Sequence, residues 1–160
     1  SIEAQESVKE RLLPLSTLIT PNIPEMEALT SVTLSTHQDK ERAAHYLIEL
    51  GAKAILLKGG HEEGDTKSDT LFLASPTGIK ATTFSSQTIH TKNIHGTGCT
   101  LSAAIAAFIA RGESINEAIA KAKSYISDAI RAGADVAIGN GFGPVNHGFN
   151  PLKMVANERE

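Results

Sequence analysis

The sequence predicts an α/β fold: a mostly parallel sheet flanked by helices, with one antiparallel hairpin. Three observations carry that expectation. Short apolar, β-branched runs alternate with longer stretches that carry an apolar stripe at helical spacing, the pattern of strands with covering helices. The turn sequence Ser75-Pro-Thr-Gly78 separates two strand-like runs and marks a hairpin. Glycine-bearing turns follow the strand-like runs at residues 57–61 and 93–98.

Composition bounds the answer. The 160 residues match one ordinary domain. Apolar residues make up 41% and the mean hydropathy is −0.10, which suits a soluble globular chain. Tryptophan is absent and aromatics are 4%, so aliphatic residues and alanine must build the core. The net charge is −3 and the basic residues are scattered, unlike a nucleic-acid footprint. A single cysteine allows no internal disulfide and fits a reducing compartment. No apolar run approaches a membrane span, and the first residues lack a signal-peptide layout. The expected location is therefore the cytoplasm, with no membrane or nucleic-acid partner.

In chain order, residues 2–13 read as a helix with Val8, Leu12 and Leu13 on one side, stopped by Pro14. Residues 15–20 form a short run expected to be a buried strand, closed by Pro21. Asn22-Ile-Pro-Glu25 then opens a helix in the form of a capping box, with proline in the first turn. Those residues admit two roles. Asn22 and Glu25 either cap the helix, or stand at the ligand-gathering end of a strand, where a carboxylate could hold water around magnesium.

Thr36 or Asp39 opens the next helix, which runs to Leu50 with Ala43, Ala44, Leu47, Ile48 and Leu50 as its stripe and Gly51 just past its end. Residues 53–57 are a buried strand ending in Lys58-Gly-Gly-His61. Lys58 is either a snorkelling surface lysine or one that reaches a phosphate while Gly59 and Gly60 let backbone come close. After a polar loop at 62–67, residues 69–74 and 79–84 make the hairpin, and 87–91 lead on as a strand-like stretch.

The turn Asn93-Ile-His-Gly-Thr-Gly-Cys-Thr100 comes next and opens a strongly helical run to Arg111. Two glycines at the mouth of a helix uncover backbone N–H groups, and the helix dipole points at the same spot. Cys99 adds a possible base beside that anion hole, a pairing suited to phosphoryl transfer. The plainer reading is a tight turn whose small cysteine fills a gap. Ser114-Ile-Asn-Glu117 caps the last long helix, which runs to Ala132 with Ile115, Ala118, Ile119, Ala122, Tyr125, Ile126 and Ile130 buried, and stops at Gly133. The tail Gly139-Asn-Gly-Phe-Gly-Pro-Val-Asn-His147 reads as loop, and residues from about 148 are expected to be disordered. His90 and His95 make no convincing zinc pair, His61 either faces phosphate or, as loop histidines usually do, faces water, and His147 receives no catalytic role.

Four of these stretches, in register, resemble the ribokinase-like superfamily, and most closely the bacterial hydroxymethylpyrimidine/phosphomethylpyrimidine kinases of thiamine biosynthesis. They are Leu18-Ile-Thr-Pro-Asn-Ile-Pro-Glu25, Leu57-Lys-Gly-Gly-His61, the Asn93–Thr100 turn and the Gly139–His147 tail. The resemblance implies an ATP- and magnesium-dependent phosphotransferase acting on a small pyrimidine, and a homodimer for the intact enzyme. It places Cys99 where related sugar kinases carry a catalytic aspartate, and Gly96, Thr97 and Gly98 around the transferring phosphate. It puts Lys58, Gly59 and Gly60 on the ATP phosphates, Asn22 and Glu25 on magnesium and phosphates, and Asp69 near the nucleotide.

One departure stands out. The family's N-terminal portion, with a glycine-rich opening and most of the pyrimidine pocket, has no counterpart here. Residues 1–160 are therefore expected to be one C-terminal, nucleotide-binding portion, inactive in isolation. Two alternatives are a pyridoxal kinase-like vitamin B6 kinase, whose relatives share the glycine-cysteine turn, and a non-catalytic nucleotide-binding fragment that needs a partner chain.

Overall fold

The short apolar run at residues 54–57 becomes a strand buried along its whole length, β1 (Ala54–Leu57). The computed structural model describes residues 2–59, 64–76 and 78–151. They fall into two compact units, Ser1–Thr88 and Ile89–Glu160. Among the described residues no helix is long and apolar enough to cross a membrane.

In the first unit, β1, β2 (Thr66–Ser75) and β3 (Gly78–Gln87) form an antiparallel sheet in that order. The hairpin is the expected one, but longer: pairing runs from Ser75↔Gly78 back to Thr66↔Gln87. β1 lies against β2 from Ala54↔Leu73 to Leu57↔Thr70. The mostly parallel sheet expected from the alternation is not what the regular strands make. Only a short connection separates β1 from β2, too short for the crossover of a dozen or more residues that parallel neighbours need, so β2 returns antiparallel.

Parallel pairing survives on the other side of β1, as the bridges Ile19↔Ile55 and Asn22↔Lys58. Ile19 N–H donates to Ala54 O (3.0 Å), Leu56 N–H to Ile19 O (2.8 Å) and Lys58 N–H to Pro21 O (2.9 Å). The buried strand expected at 15–20 is thus displaced toward 19–22, and Leu18 and Ile19 are only half-buried. Pro21 has no N–H to give, which keeps the ladder short.

Helix α2 (Ile23–Thr30) and helix α3 (His37–Glu49) both begin in complete capping boxes, at Asn22/Glu25 and Thr36/Asp39. Met26 of α2 and Ala43, Ala44 and Leu47 of α3 pack with Ile55, Leu57 and Phe72 in one core, closed by Leu13 and Leu34. Ile48 is half-buried and Leu50 exposed. The single opening helix expected over 2–13 is broken. Helix α1 (Ile2–Ser7) passes into a wide π turn at Val8–Leu12 and a 3₁₀ turn at Leu13–Leu15. Pro14 explains this: it cannot donate to a carbonyl four residues back and its ring crowds that carbonyl, so Leu13 N–H reaches instead to Val8 O.

In the second unit, α4 (Thr97–Ala110) and α5 (Ile115–Gly133) pack as a helical hairpin. Leu101 and Ile105 meet the α5 stripe Ala118, Ile119, Ala122, Ile126 and Ala129 in the buried core. Ile115, Tyr125 and Ile130 are half-buried. Of the strand-like stretch expected at 87–91, Gln87 ends β3 and residues 88–91 are irregular, because side chains take the place of a ladder partner. Thr91 Oγ1 donates to Ala134 O (2.9 Å), and the buried Asn93 Nδ2 donates to Gly133 O and Val136 O (both 2.7 Å). Asn93 therefore caps the C-terminal end of α5 from outside the helix. The tail folds back in this unit through residues 143–149. Most of the segment expected to be disordered, residues 152–160, lies outside the described residues.

Candidate active site

Two groups of the sequence-selected residues assemble, one in each unit. In the first, the capping reading of Asn22 and Glu25 is realised. Glu25 N–H donates to Asn22 Oδ1 (2.8 Å), and Asn22 N–H donates to Glu25 Oε2 (2.7 Å). The same Oε2 stands 3.9 Å from Lys58 Nζ. The parallel bridge of Asn22 to Lys58 brings them there: it sets the first turn of α2 beside the residue that leaves β1. Lys58 keeps only 18% of its side chain exposed, whereas Glu25 keeps 58%. The lysine side chain is mostly covered, with its ammonium in ion-pair range of a carboxylate that faces water.

Asp69 is buried, and its Oδ1 accepts from Gly59 N–H (3.0 Å). It thus holds the Gly59 backbone, one residue after Lys58. Gly60 and His61 lie outside the described residues. Among the described residues no group of three or more acidic, histidine or cysteine side chains could cage a metal. Magnesium is bound in another way, through one or two carboxylates plus substrate phosphates, with several waters kept. Glu25, exposed and beside a lysine, fits that single-carboxylate role, and the cap occupies only part of its acceptor capacity.

In the second unit, α4 differs from α2, α3 and α5 in having no side-chain cap. Its N-cap is Gly96, at φ +88°, a left-handed conformation that favours glycine. Thr97 N–H turns back to Ile94 O (3.2 Å) and Thr100 N–H binds Gly96 O (2.9 Å). The N–H groups of Gly96, Gly98 and Cys99 donate to nothing among the described residues. Thr97 was expected in the anion hole; its N–H and hydroxyl are both spent on Ile94 O, so the open donors are those of its neighbours. Cys99 is exposed at that turn. It stands at one end of a groove of about 510 Å³ along α4, whose lining includes Ala103, Ala107, Phe108, Arg111 and His147.

The tail brackets this turn. His95 N–H donates to Gly143 O (3.0 Å) and Val145 N–H to His95 O (3.4 Å). His147 Nε2 lies 2.8 Å from Thr100 Oγ1, which also donates to Gly96 O (2.7 Å). Sequence reasoning missed these roles of Asn93, Thr100, Gly143 and His147. Their only signal was membership of the two motifs that, by resemblance, belong together.

Comparison with known proteins follows the same lines. The family model described as phosphomethylpyrimidine kinase matches residues 1–146, nearly the whole chain. The chain belongs to the phosphomethylpyrimidine kinase family. It is 40% identical over 146 residues to the hydroxymethylpyrimidine/phosphomethylpyrimidine kinase of Bacillus subtilis, covering 91% of this chain and 52% of that protein. It is 48% identical over 140 residues to a thiamine biosynthesis bifunctional protein of Geobacter sulfurreducens, covering 88% of this chain and 27% of the other.

Among solved structures, the pyridoxal kinase from Staphylococcus aureus superposes with a TM-score of 0.84 at 29% identity, over 96% of this chain and 55% of that one. An ADP complex of Bacillus subtilis pyridoxal kinase gives 0.80 at 34% identity, over 91% and 53%. The fold is ribokinase-like, present in part: the chain spans about half the length of these single-function relatives and about a quarter of the bifunctional one.

Proposed function

We propose that this chain is the nucleotide-binding and catalytic part of an ATP-dependent kinase that phosphorylates hydroxymethylpyrimidine and its phosphate in thiamine biosynthesis. The observation that carries the reading is the bare first turn of α4. The N–H groups of Gly96, Gly98 and Cys99 have no partner among the described residues and share the turn with an exposed cysteine, in a chain whose curated relatives are kinases of this name. In the reaction, the substrate hydroxyl oxygen bonds to the γ-phosphorus of ATP while the bond to the bridging oxygen breaks, and ADP leaves with that electron pair. Cys99 Sγ either accepts the hydroxyl proton, as a thiolate, or orients it. The N–H groups of Gly96, Gly98 and Cys99 face the charge on the transferring group, where preorganised donors act without reorganisation. Lys58 binds ATP phosphates. Glu25 would hold magnesium, which would supply charge to neutralise the phosphates.

A second reading is favoured by the solved structures alone, which are pyridoxal kinases. One experiment separates them. A longer kinase that joins this chain to the family's N-terminal portion is offered ATP labelled in the γ-phosphate, with hydroxymethylpyrimidine or pyridoxal. Label in the pyrimidine supports the proposal, label in pyridoxal alone supports the second reading, and label in neither sinks both.

A further inference from the structure

We infer that His147 is a positioning residue for the Gly96–Cys99 turn, acting through the Thr100 hydroxyl; the inference deepens the kinase reading and rests on it for its catalytic meaning. The argument begins with hydrogen counting. Thr100 Oγ1 carries one hydrogen and sits 2.7 Å from Gly96 O and 2.8 Å from His147 Nε2. A carbonyl can only accept, so the hydroxyl hydrogen belongs to Gly96 O. His147 must then donate, from an Nε2–H, into the hydroxyl's lone pair.

The chain imidazole to hydroxyl to carbonyl has a directed consequence. Gly96 O already accepts the Thr100 N–H at 2.9 Å, so the hydroxyl fills its second acceptor position. The peptide plane of Gly96 and Thr97 is pinned from that side, and Thr97 N–H pins it from the other by reaching Ile94 O. The next two planes present the open N–H groups of Gly98 and Cys99. Their aim is set by the plane that His147 holds.

His147 is itself held. Tyr125 OH donates to its carbonyl (3.1 Å), and the neighbouring Asn146 N–H donates to Ala129 O (3.0 Å). The same tail segment grips His95, four residues before Cys99, and Thr100, one residue after it. A strap anchored on α5 thus clamps both sides of the cysteine.

The test reads Cys99, the only cysteine in the chain, by its rate of alkylation with iodoacetamide at fixed pH, with no nucleotide present. The attacking species is the thiolate, and its rate of attack reads the geometry of the turn that carries it. His147→Ala and Thr100→Val should each slow alkylation at least threefold, and the double variant should slow it no further. His147→Gln, whose amide can place an N–H near the Nε2 position, and Thr100→Ser should keep the wild-type rate. In the longer kinase, His147→Ala should lower kcat about tenfold with the KM for ATP changed less than threefold, and His147→Gln should restore kcat. Unchanged alkylation in the single variants, additive effects in the double variant, or failure of the glutamine to rescue overturns the clamp. If the wild type transfers no phosphate while the alkylation pattern holds, the kinase reading fails and the clamp stands.

Discussion

Gly143 lies so close to Asn93 that a Cβ built on it would fall 2.6 Å from Asn93 Cγ and closer still to Oδ1. Asn93 Oδ1 is also the one buried side-chain polar atom, among the described residues, without a hydrogen-bond partner. The asparagine is committed to α5 through its Nδ2, and the tail passes its other side only because residue 143 has no side chain. Gly143→Ala should therefore destabilise the protein by about 1–3 kcal/mol, as overpacking does. Asn93→Ala, which strips the α5 carbonyls of their donor, should cost about 3 kcal/mol. Urea unfolding of the double variant should show a loss smaller than the sum by about 1 kcal/mol, since the clash disappears with the asparagine. Strict additivity would show that the two residues do not meet.

Glu25 serves a cap and faces Lys58, and substitution can separate the cap from the proposed metal role. Glu25→Gln keeps an oxygen that can accept from Asn22 N–H, so its melting temperature should stay within a degree or two of wild type. Glu25→Ala loses the capping contact and should melt lower. Both should weaken the rise in melting temperature on adding magnesium and ATP, and Lys58→Ala should weaken it as well. A ligand that binds only the folded state raises melting by mass action, so the size of the rise reads affinity. A glutamine variant that responds to magnesium and ATP as wild type does would leave Glu25 with the cap alone.

In the longer protein, Cys99→Ala should lower kcat by more than tenfold while nucleotide binding changes little. General-base assistance is worth ~10²–10⁴-fold, and a thiol matched poorly to an alcohol belongs at or below the low end. An interaction made mainly in the transition state appears in kcat, whereas uniform binding appears in KM. Cys99→Asp restores the residue type of related sugar kinases and adds charge near phosphate, so the dependence of rate on magnesium should steepen. Full kcat in the alanine variant would reduce Cys99 to a small residue at the turn.

Acid should loosen the helix caps before the apolar core responds. The Thr36 hydroxyl, with Arg42, holds the Asp39 carboxyl below its ordinary value near 3.8, and the Ser114 hydroxyl holds Glu117 below its ordinary value near 4.5. A depressed carboxyl binds its proton less readily when folded than when unfolded. Its stabilisation is therefore whole above the ordinary value and drains as pH falls through the lowered one. Melting temperature should fall as pH drops below about 4.5, and the Thr36→Ala/Ser114→Ala double variant should show a shallower acid slope. Equal slopes in the two proteins would place the acid-sensitive groups elsewhere.

Local chemistry was legible because it depends on residues a few positions apart. The capping boxes at Asn22, Thr36 and Ser114, the hairpin turn at Ser75–Gly78 and the α5 stripe each rest on side chains within one or two turns of their partners. So did the uncapped mouth of α4, since glycine at 96 and 98 leaves nothing there to cap. The four motifs, in register, were also enough to point to the family.

Tertiary structure decided what depends on partners far along the chain. Whether β1 met its neighbour parallel or antiparallel turned on how short the connection to β2 is, not on the apolar pattern of either strand. Whether Lys58 met Glu25 turned on residues 19–22 bridging to β1, 33 positions away from Lys58 in the case of Glu25 (58 − 25). Asn93 and His147 belonged to two motifs in the sequence, but nothing near them in the chain assigned either a role. One became the donor that closes α5, and the other came to rest against Thr100, 47 positions earlier. Periodicity and propensity report only the near neighbours of a residue, whereas a buried amide or imidazole takes its meaning from whichever carbonyl or hydroxyl the folded chain sets beside it.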